Sequence, residues 1–103
     1  MSERLAKYNS LVLTEVSVAL GELALPGALA TATAVETAPD LAHATIWISL
    51  LPDSAENWER VAAHRPAIQD HLASRLESKR TPRIELRQDR GPAHAEQVER
   101  LLT

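Results

Sequence analysis

Apolar residues recur at three- and four-residue steps from Glu3 to Leu23, at Leu5, Tyr8, Val12, Val16, Ala19, Leu20 and Leu23. That spacing stacks them along one face of an amphipathic helix. Pro26-Gly27 ends the helix or lies just past its end. The period then changes. From Ala28 to Thr37, Thr31, Thr33 and Val35 alternate with alanines, which predicts a strand. Ala38-Pro39-Asp40 is a turn signal. From His43 to Leu51, Ala44, Ile46, Ile48 and Leu50 point one way and Thr45, Trp47, Ser49 and Leu51 the other. So short a connection makes an antiparallel hairpin the natural pairing.

Pro52-Asp53-Ser54 closes the hairpin and starts a helix. Asp53 with Glu56 has the spacing of a capping box, and Ser54 is the competing cap. Trp58, Val61, Ile68, Leu72 and Leu76 share a helical face, but Pro66 interrupts the run. Proline has no N–H, and its ring would clash with the carbonyl of Ala62. Two helices are therefore predicted, about 54–64 and 66–78, with a break at His64-Arg65-Pro66 and Pro66 in the first turn of the second. Pro82 to Asp89 alternates again, with Ile84 and Leu86 inward and Arg83, Glu85, Arg87 and Asp89 outward. Arg90-Gly91-Pro92 breaks this third strand, and Ala95, Val98 and Leu102 mark a short closing helix. The expected fold class is α+β, in the order α-β-β-α-α-β plus that helix. Its helices pack on one face of a small mixed sheet and leave the other at least partly open. Residues 1–103 read as one domain.

Composition narrows the chemistry. The chain is 45% hydrophobic and 24% charged, which supports a folded domain rather than a disordered one. Tyr8, Trp47 and Trp58 are the only aromatic residues, so the core is expected to consist of aliphatic side chains of modest stabilising power. Without cysteine there is no disulfide, thiolate metal site or cysteine nucleophile, which fits a reducing cytoplasm. No apolar run is long enough for a signal peptide or membrane span.

The net charge is −3, unevenly spread. Residues 1–59 set two cations against eight carboxylates, whereas residues 60–103 set nine cations against six. The cations crowd between Arg75 and Arg90, which can build an anion-binding face on an acidic protein.

Two segments carry a family resemblance. Ala34-Val35-Glu36-Thr37-Ala38-Pro39-Asp40-Leu41-Ala42-His43-Ala44 and the strand to Leu50 resemble the hairpin of ribosome-binding factor A, in which P-D-L-x-x-A joins two strands. Leu72 to Leu76, Lys79-Arg80-Thr81-Pro82, Ile84-Glu85-Leu86 and Asp89 resemble that family's helix, basic loop, T-P and strand closing on D. The likeness runs from about Arg4 to Leu102. It implies a type II KH-like RNA-binding domain, kinked near Pro66. KH domains commonly carry a G-x-x-G loop between two helices, and this family an A-x-G. Here the kink motif is His64, Arg65 and Pro66, and Gln69 stands where the family often has arginine.

The resemblance further implies a non-enzymatic, cofactor-free maturation factor that binds 16S rRNA in immature 30S particles in the cytoplasm, with a monomer as the expected state. Arg65, Arg75, Lys79, Arg80, Arg83 and Arg87 are the candidate phosphate contacts, Arg65 foremost. Each has an ordinary structural alternative. Lys79 and Arg80 would complement a helix C-terminus, and Arg83 and Arg87 would pair with Glu85 and Asp89. The alternative function is a protein–protein module on the same fold, without RNA binding. Trp47 is expected to pack beneath the closing helix, the alternative being to stack on a base or a partner, and Trp58 to join the core. His64 and His71 lack an evident third metal ligand, and no nucleophile elbow, phosphate loop or dinucleotide fingerprint is present.

Overall fold

The computed structural model describes residues 3–76 and 81–90. They form α1 (Glu3–Gly21), β1 (Leu29–Thr37), β2 (His43–Leu51), α2 (Ala55–Ala63), α3 (Arg65–Arg75) and β3 (Arg83–Gln88). The expected order is present. The closing helix predicted over Pro92 to Leu102, with its cover for Trp47, lies outside the described residues, as do Lys79 and Arg80.

The α1 helix ends at Gly21, two residues before the predicted limit, and Glu22 and Leu23 continue with tight i to i−3 bonds. The chain then reverses at Leu25-Pro26-Gly27-Ala28, where the Ala28 N–H reaches the Leu25 carbonyl at 3.0 Å. Gly27 has φ +74°, the left-handed value that position i+2 of a type II turn demands. β1 and β2 pair antiparallel as anticipated, from Leu29 opposite Leu51 to Thr37 opposite Ala44. Their turn closes through Ala38 and His43, and the Asp40 carboxylate accepts from Ala42 N–H at 2.9 Å. β3 lies on the other side of β2 and runs parallel to it, giving the strand order β1-β2-β3.

Alternation sorts the sheet into two faces. Ala44, Ile46, Ile48, Leu50 and Ile84 are buried beneath the helices with Val12, Val16, Leu20, Val61, Ile68, Leu72 and Leu76. Full burial of each larger aliphatic side chain contributes roughly 1.5–3 kcal/mol. The opposite face carries Thr31, Thr45, Trp47, Ser49, Arg83, Glu85 and Arg87. The register slips between Ala32 and Ala34, so Thr33 is a bulge residue. Its hydroxyl lies 2.8 Å from Asp89 Oδ2, linking β1 to the end of β3.

Two local predictions resolve at the α2 helix. Ser54, not Asp53, is the N-cap: its hydroxyl accepts from Asn57 N–H at 3.1 Å. The expected Asp53–Glu56 capping box is therefore replaced; Asp53 instead accepts from the Gln88 side-chain amide, and Glu56 pairs with Arg60 at 2.9 Å. The break falls at His64, with Pro66 in the first turn of α3 as predicted. The His64 N–H closes α2 on the Val61 carbonyl, and the Ile68 N–H opens α3 on the His64 carbonyl. The α1 and α3 helices are joined by His71 Nε2 and Glu15 Oε1, 3.1 Å apart and both largely buried.

Candidate nucleic-acid interface

The helix break and the third strand are brought together by one polar residue. Gln69 sits one turn into α3, facing the outer edge of β3. Its amide oxygen accepts from Ile84 N–H at 2.9 Å, and its amide nitrogen donates to the Pro82 carbonyl at 2.8 Å. Arg65 donates to the Ile84 carbonyl at 3.3 Å and to Gln69 Oε1 at 3.4 Å. In a parallel ladder, alternate residues turn their backbone groups away from the neighbouring strand. Arg83 and Asp89 donate to β2, at the carbonyls of Ala42 and Ile48, so Ile84 faces outward, where Gln69 and Arg65 satisfy its N–H and C=O.

Beside this tether lies a groove of about 610 Å³. Trp58, Ala62 and Arg65 line one wall; the first residues of β2 and Arg83 to Leu86 of β3 line the other. Its ionic groups are Arg65 and Arg83 against Glu85, which is already paired with Arg87 at 2.8 Å. The balance is cationic. A phosphate with an adjoining flat, polar-edged group suits these walls better than a compact apolar ligand.

The predicted cations separate into distinct places. Arg65 and Arg83 share the groove, whereas Arg75 is exposed at the far end of α3, about 15 Å along the helix from Arg65. Arg87 lies exposed on the open sheet face in its ion pair with Glu85, the structural alternative anticipated from sequence. Arg65 is half-buried and holds β3 as well as lining the groove, rather than standing free at a turn. Within the kink motif, His64 Nδ1 is 2.7 Å from the Arg60 carbonyl, so its ring finishes α2.

Gln69 is the residue that sequence reasoning undervalued, having entered only as an absent arginine. A polar side chain beside buried Ile68 on a strand-facing helix was the available signal. Trp58 is packed against the core, as expected, but is only partly buried and also forms a groove wall. Among the described residues, no group of three or more histidines and carboxylates is placed to hold a metal, and no helix is long and apolar enough to cross a membrane.

The family model for ribosome-binding factor A matches residues 4–102. A curated ribosome-binding factor A from Gemmatimonas aurantiaca is 37% identical over 79 residues, covering 73% of this chain and 53% of the relative. The chain spans between 53% and 66% of the length of the curated relatives it matches. The fold is similar to the crystal structure of ribosome-binding factor A from Thermus thermophilus, with TM-score 0.74, 19% identity, and coverage of 85% of this chain and 98% of the other. A Thermus thermophilus ribosome-binding factor A homology model, fitted into a cryo-EM map of a 30S complex, matches with TM-score 0.70 at 18% identity, covering 79% of this chain and 90% of that one.

Proposed function

We infer the function from one premise: the chain belongs to the ribosome-binding factor A family. On that premise it is a non-enzymatic factor that binds the small ribosomal subunit and contacts 16S rRNA in immature 30S particles. It acts in the cytoplasm, as a monomer and a single KH-like RNA-binding domain. The observation that carries this reading is the groove at the helix break, where Arg65 and Arg83 stand on opposite walls. The name of a structural neighbour, a ribosome-binding factor A fitted into a 30S complex, supports the choice of subunit.

The physical scheme is simple. Cations between Arg65 and Arg87 attract phosphate and steer the encounter, and the shape of the groove then selects the RNA segment. With Arg87 paired and Arg65 partly engaged, few cations remain for phosphate, so binding is reversible and its salt slope is the modest one of a few phosphate contacts. That suits a factor that must leave before the subunit is used. Arg75, Lys79 and Arg80 belong to the same proposal as outlying phosphate contacts.

A second reading rests on the other end of the sheet. Leu29 and Leu51 face each other across β1 and β2 and are 61% and 69% exposed, a pairing that suits a protein partner better than RNA. Co-sedimentation with isolated small and large subunits across a salt series tests both readings. Uptake by small subunits alone, weakening as salt rises, supports the first. No association at low salt overturns it and leaves the protein module.

A further inference from the structure

We propose that Trp58 is a stacking platform for an unpaired RNA base within the groove, a role that rests on the RNA-binding reading above. Trp58 is the one aromatic residue of the chain that lines this groove. It packs against the core with part of its surface and remains partly exposed with the rest. Val61 and Ile68 of the same core are fully buried, whereas Trp58 keeps part of its surface in the groove.

One turn further along α2 stands Ala62, too small to close the wall over the ring. Arg65 follows at the start of α3, and Arg83 lies on the facing wall. A π surface with one cation on its own wall and another on the facing wall offers a nucleotide a place for its base and for its phosphates. Single-stranded RNA is commonly held by such stacking on aromatic side chains, each base adding a contribution that tolerates any sequence. The groove volume of about 610 Å³ lies within the range of sites that enclose a ligand of nucleotide size. Charge complementarity selects an RNA occupant over an acidic or apolar peptide, because the single carboxylate on the walls, Glu85, is paired with Arg87.

The test uses Trp58 itself as reporter. In the full-length Trp47→Phe protein Trp58 is the remaining indole, and its fluorescence is followed while eight-nucleotide oligoadenylate, a duplex RNA or inorganic polyphosphate is added at low salt. Saturable quenching by oligoadenylate, with little by duplex or polyphosphate, is the expected result. Trp58→Leu, checked for folding by circular dichroism, should then weaken oligoadenylate binding about tenfold or more, with Trp58→Phe in between.

Oligoadenylate and small subunits that bind without quenching, and bind Trp58→Leu as tightly as the parent, would overturn the stacking role while leaving RNA binding intact. A parent protein that takes up neither oligoadenylate nor small subunits overturns both. Should Trp58→Leu fail to fold, the quenching measurement on intact Trp58 still decides.

Discussion

The two outer edges of the sheet face the same difficulty and meet it differently. An edge strand exposes unpaired backbone groups, which invite adventitious pairing. At β1 the Asn9 side chain accepts from the Thr37 N–H at 3.1 Å, and the bulge at Thr33 interrupts the rest of the edge. At β3 Gln69 takes both Ile84 N–H and Pro82 C=O, and Arg65 adds a third bond. The β1 solution uses one neutral contact, in a strand whose sole charge is Glu36. The β3 solution is bidentate and brings a cation with it. Protecting the β3 edge therefore also builds a charged groove wall, whereas the Asn9 contact brings no charge to the β1 edge. The cationic groove of this small sheet lies on the side on which α3 is tied down.

That contrast can be broken by experiment. The largest effect is expected from reversing both groove cations. Arg65→Glu with Arg83→Glu should lower small-subunit affinity roughly a hundredfold and flatten the salt dependence by about two in log–log slope. Thr31→Glu, on the β1 side, should leave both unchanged; equal losses from the two sides, in co-sedimentation, would erase the distinction.

Next is Gln69→Ala, which strands a backbone N–H and should cost about 1–3 kcal/mol in urea unfolding. Asn9→Ala removes a single contact and should cost less, about 0.5–1.5 kcal/mol by the same measurement. If Asn9→Ala proved the more damaging, the β1 edge would be the better anchored of the two.

The smallest effect belongs to Arg87→Ala. Its pair with Glu85 is exposed, at 54% and 61%, so stability should change by less than about 0.5 kcal/mol. Subunit binding should fall far less than with the groove reversal. A loss as large as that one would move the interface onto the open sheet face.

Much of this was legible along the chain. The change from helical to alternating period marked every described element to within a few residues, because each pattern reports on which side its own segment buries. Pro66 announced the helix break for a local reason, the missing N–H and the clash with the preceding turn. Capping was less legible. Asp53 and Ser54 are adjacent and both suitable, and Gln88, 35 residues away, engages Asp53 and leaves the helix end to Ser54.

The sequence by itself therefore determined the element order, the inward faces and the position of the kink, since these follow from spacings of a few residues. Only the tertiary structure decided that β3 takes the free side of β2, that Arg65 and Arg83 share a groove while Arg75 and Arg87 lie outside it, and that Gln69 joins α3 to the strand edge. Gln69 contacts residues 13 and 15 positions away. Contacts of that span depend on how helices and strands dock, and hydrophobic burial sets that docking without leaving a periodic trace in the polar residues that meet there.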